Sequence, residues 1–236
     1  MISIIDLASK NDYSEIHIML SSNQLIHKTA EYVKQKMLHE STGHDWWHVF
    51  RVWNMAKLLS TSYSEADLLK VELAALLHDL GDYKITGSSD AEEGILRSAM
   101  DELGFTPEFK EEVLEIIDKI SYSKNVGSSE VLSIEAQIVQ DADRLDALGA
   151  LGIARVFATS GKAGRSIYDP TQTIQNYKTM GERRISNSSA ILHFDEKLLV
   201  LRDMLNTKEA KKIGKKRHQY MLNYLLEFYA EWSGKD

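Results

Sequence analysis

The sequence predicts an all-α protein, and three observations carry that reading. Proline occurs only at Pro107 and Pro170 in 236 residues. Apolar positions recur mostly at three- and four-residue steps rather than in alternation. Helix-start and helix-stop residues stand where those periodic runs begin and end.

Taken in order, HDWWHVFRVWNMAKLL (44–59) predicts the first strongly patterned helix. Ser64, followed by Glu65 and Asp67, reads as a helix start running into the apolar stretch Leu73–Leu77. Gly104 closes one helix and Thr106-Pro107 opens the next. Ser133 caps a long helix reaching about Thr159, with Gly161 beyond its end. Thr207 caps a last helix running to about Trp232. GDYKITGSSD (81–90) and SGKAGRSIYDPTQ (160–172) are rich in Gly, Ser and turn residues and read as loops. No repeat, low-complexity tract or linker divides the chain. The expectation is one domain over 1–236, with a functional core at about 44–146, a C-terminal helical part at about 174–233, and segment 1–20 unassigned.

Composition excludes several classes. The 43% apolar content suits a packed core. There is no cysteine, so disulfides and thiolate metal sites are ruled out. A net charge of −7 argues against a general nucleic-acid surface, while a local basic pocket for phosphates stays open. The first residues, MISIIDLASKNDYSE, lack the basic start of a signal peptide, and no run of ~18 apolar residues predicts a membrane span. A cytoplasmic protein is expected.

Chemistry concentrates on three helices. At 100° per residue, His44, His48 and Arg51 share the apolar stripe of Val52, Met55 and Leu59. His78-Asp79 follows directly on an apolar run, and His78 shares its stripe with Val71, Ala74 and Ala75. Asp143 and Asp146 lie with Val139, Ala150, Ile153 and Phe157, whereas Asp141, Arg144 and Arg155 fall elsewhere. A single inward histidine is ordinarily a hydrogen-bonded core residue. Three helices that each turn ligating groups inward are different, because carboxylates there need a metal or a well-formed ion-pair network.

At this point the chain resembles a known family. His48, then His78-Asp79, then Asp143 match the H…HD…D pattern of the HD-domain metal-dependent phosphohydrolases, in the contexts HDWWHVFRV, LLHDLGDYK and QDADRLDALGALGIARVF. IYDP, HFDEKLL and KKRHQYMLNYLLEFYAEW extend the likeness over about residues 25 to 233, to the small stand-alone bacterial branch whose members include nucleotide pyrophosphohydrolases. The resemblance implies an all-helical fold with His48, His78, Asp79 and Asp143 as metal ligands. It also implies hydrolysis of nucleoside triphosphates to monophosphate and pyrophosphate. Asp82 stands where relatives keep an acidic residue near the attacking water. His44 and Asp146 are candidates to orient a ligand.

No histidine lies between Leu80 and Ala142, so one divalent ion is expected: manganese first, then magnesium, iron, cobalt, nickel or zinc. Arg51, Lys84, His193, Lys197 and Arg217 are candidates for the phosphate charge. Arg165, a candidate to contact substrate, and Tyr168, a candidate to stack a base or pack on the body, belong to a loop that reads either as a lid or as ordinary surface. The expected partner is a small nucleotide, with no nucleic-acid polymer and no membrane, and a homodimer is left open. The alternatives are a 5′-nucleotidase and a non-catalytic nucleotide sensor.

Overall fold

The computed structural model describes residues 21–38, 45–80, 89–120, 131–174 and 187–235, and among them there is no strand. The helices are α1 (Ser22–Met37), α2 (Trp46–Ser60), α3 (Leu68–Leu77), α4 (Ser89–Leu103), α5 (Pro107–Ile120), α6 (Ile134–Asp146), α7 (Gly149–Lys162) and α8 (Lys208–Trp232). A π-helical turn, Phe194–Leu198, and a 3₁₀ turn, Val200–Met204, precede α8.

The organising element is α3. All seven residues from Val71 to Leu77 are buried, as expected of a helix apolar on every side. It packs against α1, α2, α5 and α6, and α2 packs in turn on α6. Ala74 and Ala75, both fully buried, leave room for the close approach of neighbouring helices. The buried Glu72 is matched by the Trp53 indole, whose Nε1 donates to Oε2 at 2.7 Å.

Most helix ends follow the local signals. Ser133 and Thr207 cap α6 and α8 by accepting from the third backbone N–H beyond them. Gly104 ends α4 at φ 87°, a left-handed conformation that glycine adopts without a Cβ penalty. The start of α3 lies later than Ser64, because Asp67 accepts from the Leu69 and Lys70 amides. Asp141 anchors the start of α8. Its carboxylate accepts from the Thr207 amide and hydroxyl, both at 2.7 Å, and from the Asn206 amide at 2.8 Å.

The single long helix expected from Ser133 to about Thr159 is two helices. The chain tightens at Ala147 and Leu148, which donate to the carbonyls three residues back, and restarts at Gly149 with φ 75°. Two glycines permit the break. A Cβ on Gly149 would meet the Arg217 stem at 3.1 Å, and a Cβ on Gly152 would lie 2.2 Å from the Ala147 carbonyl oxygen. The break re-aims everything beyond Asp146.

The loop at 160–172 is shorter than expected, since α7 runs to Lys162. It is also anchored. Ala190 and Ile191 donate to the Ser166 and Ile167 carbonyls, and Tyr168 nests edge-on against Phe228, Tyr229 and Trp232. These contacts favour the packed surface loop over the lid.

Gly152→Ala should lower unfolding free energy by roughly 1–3 kcal/mol, because a backbone oxygen cannot yield to the new methyl group. Gly161→Ala, which meets nothing within 4 Å, should raise it by about 0.5–1 kcal/mol. Urea unfolding of the two variants checks the contrast.

Candidate metal centre

Three helices deliver the cluster. Asp45 caps α2 by accepting from the His48 amide at 2.9 Å, which fixes the first turn that carries His48. His78 and Asp79 follow the last turn of α3, and Asp143 comes from the last turn of α6. The two imidazoles meet edge to face with centroids 5.4 Å apart.

Each ring has its Nδ1 committed. His48 Nδ1 lies 2.7 Å from Asp146 Oδ2, and His78 Nδ1 lies 2.9 Å from the Ala75 carbonyl oxygen. Carboxylates and carbonyls only accept, so both Nδ1 atoms donate and both Nε2 atoms face inward. His48 Nε2 is 3.2 Å from Asp79 Oδ2 and 3.4 Å from Asp143 Oδ1. His78 Nε2 is 3.5 Å from Asp79 Oδ1 and 4.0 Å from Asp143 Oδ1. His48, His78 and Asp143 can each offer one ligand atom within 4.8 Å of the others.

These separations fit a shared ion. Ligand atoms held about 2.1 Å from one centre stand about 3.0–3.4 Å apart as neighbours and about 4.2 Å apart across it. The buried Nε2 of His78 has no hydrogen-bond partner among the described residues, as expected of an atom that faces a cation. Access is one-sided. The His48, His78 and Asp79 side chains are 0%, 5% and 8% exposed, against 42% for Asp143, so the cluster opens at Asp143.

Asp146 backs the cluster. Besides His48 it accepts from Arg51 Nε at 2.7 Å and Nη2 at 3.0 Å, and from Arg155 Nη1 at 2.8 Å. Burial works against the charged form of Asp146, but His48 and Arg51 outweigh it and hold the carboxyl far below the usual range. Burial likewise opposes the His48 imidazolium, yet Asp146 and Asp79 push its pKa up to about 9. Arg51 therefore spends Nε and Nη2 on Asp146.

Arg155 is the residue that the sequence reading missed. On an unbroken helix it points elsewhere, and the turn at 147–148 brings it back onto Asp146. An arginine nine residues beyond a buried Asp, across a glycine-rich turn, was the available signal.

Other expected residues are placed differently. Arg217 donates through Nη1 to the Leu145 carbonyl and lines a cavity bordered by Arg51 and Asp146, not by His48, His78, Asp79 or Asp143. His193 precedes the π turn that contains Lys197, whose Phe194 packs on Phe157 and Tyr224. The winding there passes from π to 3₁₀, so the regular stripe expected to join His193, Lys197, Val200 and Met204 is not kept. Arg165 lies past the far end of α7, about 20 Å of helix from Gly149. His44, Asp82 and Lys84 lie outside the described residues.

The comparisons with known proteins agree with this geometry. The HD domain model matches residues 46–148, the stretch that holds all three helices of the cluster. YpgQ of Bacillus subtilis is 36% identical over 206 residues, spanning 87% of this chain and 92% of its own. The chain belongs to the HD domain family. It is accordingly a metal-dependent phosphohydrolase. Among solved structures, a protein from Lactobacillus plantarum is 34% identical with a TM-score of 0.80, covering 89% of this chain and 97% of its own. An HD-superfamily hydrolase from Bacillus thuringiensis is 38% identical with a TM-score of 0.69, covering 90% and 99%. YpgQ has also been solved in complex with ADP; that structure is 33% identical with a TM-score of 0.69, covering 90% of this chain and 97% of that one. No helix among the described residues is long and apolar enough to cross a membrane.

Asp146→Asn should weaken divalent-metal affinity about 10- to 100-fold, because a neutral amide with one acceptor oxygen cannot hold His48, Arg51 and Arg155 together. Isothermal titration with Mn²⁺ reads the loss. The same titration should show affinity rising with pH and levelling above about 9, with close to one proton released per ion at neutral pH. Without metal the sign reverses. A pKa raised above its unfolded value of about 6.5 contributes stability that is full below that pH and is lost as pH climbs through about 9.

Proposed function

We propose that the protein hydrolyses a nucleoside or deoxynucleoside triphosphate between the α and β phosphates, releasing monophosphate and pyrophosphate. One divalent ion, manganese in the first instance, is held by His48, His78, Asp79 and Asp143. The observation that carries this reading is the convergence of two inward Nε2 atoms on two carboxylates in a cluster that opens at Asp143. The ADP bound to the similar YpgQ supports a nucleotide as the ligand.

Imidazole and carboxylate together make a borderline-to-hard donor set suited to Mn²⁺, Mg²⁺ or Fe²⁺. An ion there supplies Lewis acidity to a phosphoryl oxygen and lowers the pKa of water. The chain does the rest. Asp146 holds the Nδ1 proton of His48 and so keeps its Nε2 lone pair directed inward. Arg51 and Arg155 hold Asp146 in place, and the Ala75 carbonyl does for His78 what Asp146 does for His48.

In the reaction, the oxygen of water bonds to the α-phosphorus and the bridging oxygen departs with pyrophosphate. Asp82, three residues beyond Asp79, takes the proton from water. Lys84, His193 and Lys197 are proposed to neutralise phosphate charge. The helical body works as a single domain.

Products should be separated after incubation of the protein with Mn²⁺ and a panel of nucleoside tri-, di- and monophosphates. Monophosphate plus pyrophosphate is expected from triphosphates and is expected to be absent with Asp143→Ala. Inorganic phosphate released from monophosphates alone would replace this reading with a 5′-nucleotidase. No product with any divalent metal would remove nucleotide hydrolysis altogether.

A further inference from the structure

Arg217 is a half-buried cation short of a counter-ion. Among the described residues its hydrogen bond goes to the Leu145 carbonyl, and no carboxylate stands within ion-pair distance. Burial pulls its pKa down, and Asp146 opposes that only from a distance. A guanidinium removed from water without an anion is costly, so the fold keeps it where an anion can reach it.

Arg217 lines a cavity of about 280 Å³. Arg51 and Asp146 form its polar end, and Met55, Leu58 and Leu151 its apolar wall. Leu58 and Leu151 are exposed, so the apolar wall reaches the mouth. None of the four proposed metal ligands lines the cavity, while Asp146, which does, is hydrogen-bonded to the fully buried His48. The cavity and the metal cluster therefore meet at Asp146 without sharing a metal ligand.

Charge and size select a ligand class. Arg51 spends Nε and Nη2 on Asp146, and its Nη1 has no partner among the described residues. Asp146 would itself repel an anion, but it already accepts from His48, Arg51 and Arg155, and two guanidinium groups, those of Arg51 and Arg217, line the cavity beside it. Two guanidinium groups suit the several oxygens of a phosphate monoester. The volume lies just below the ~300–1,000 Å³ of pockets for drug-sized ligands, which points to a compact molecule.

We propose that this cavity is a second ligand site, distinct from the metal centre, for a compact phosphate monoester. The phosphate sits between Arg217 and Arg51 Nη1, and an apolar or aromatic body rests on Met55, Leu58 and Leu151. The site does not require the metal and does not depend on which phosphate bond the enzyme cleaves.

The test is isothermal titration of the full chain with phenyl phosphate, inorganic phosphate and benzoate, in chelator and again with Mn²⁺. One equivalent of phenyl phosphate should bind in both conditions, more tightly than either fragment. Asp143→Ala should bind it as the parent does. Arg217→Gln should weaken binding at least about tenfold. Leu58→Glu changes an exposed residue and sets a carboxylate at the mouth, so it should do the same at an unchanged thermal midpoint. Absence of saturable binding overturns the proposal, as does equal affinity for either fragment. Binding lost in Asp143→Ala but kept in Arg217→Gln and Leu58→Glu overturns it too, because the ligand would then sit at the metal centre.

Discussion

The carboxylate of Asp146 is the contact on which the geometry of the centre depends. It takes four hydrogen bonds: one from His48, two from Arg51 and one from Arg155. A buried carboxylate is stable only when its lone pairs are matched in this way, and the matching constrains all three partners at once. Because carboxylate oxygens accept only, His48 Nδ1 carries a proton and Nε2 is turned inward. Helices α2, α6 and α7 meet at this one side chain.

The surrounding fold supplies rigidity and close approach. The stretch Val71–Leu77 that leads to His78 and Asp79 is buried on every side, so these two residues leave a closely packed backbone. Alanines at 74 and 75 let neighbouring helices come close, and the Ala75 carbonyl serves as the hydrogen-bond partner of His78. Packing and tautomer control are therefore the work of the same short segment. On the far side, Asp141 ties the beginning of α8 to α6 and so sets where Arg217 falls relative to Asp146.

Polarity is graded across the cluster. Both histidines and Asp79 are shielded from water, which strengthens electrostatic interactions among them, while Asp143 faces solvent. A closed back and an open front suit a group that must hold an ion and admit a charged substrate. The cavity behind Asp146 has the opposite character. It joins an apolar wall to the Arg51 and Arg217 guanidinium groups, and it shares only the Asp146–Arg51 pair with the centre.

The sequence by itself determined the helical class, most helix ends and the residues of the cluster. Those properties are local: caps at Ser133 and Thr207, the glycine stop at Gly104, and imidazole and carboxylate groups on otherwise apolar stripes. Helical periodicity places side chains reliably while a helix continues, and His48, His78, Asp79 and Asp143 each lie within or directly beside one of three uninterrupted helices. The tertiary structure decided what lay beyond each interruption. The turn at Ala147–Leu148 and the change from π to 3₁₀ winding after Phe194 reset the angular register, so Arg155 joined Asp146 and the stripe from His193 to Met204 dissolved. The roles of Arg51 and Arg217 were also a tertiary matter, because a guanidinium can serve a phosphate or a neighbouring carboxylate equally well. Which one it serves depends on what the packing of other helices places within 3 Å of it.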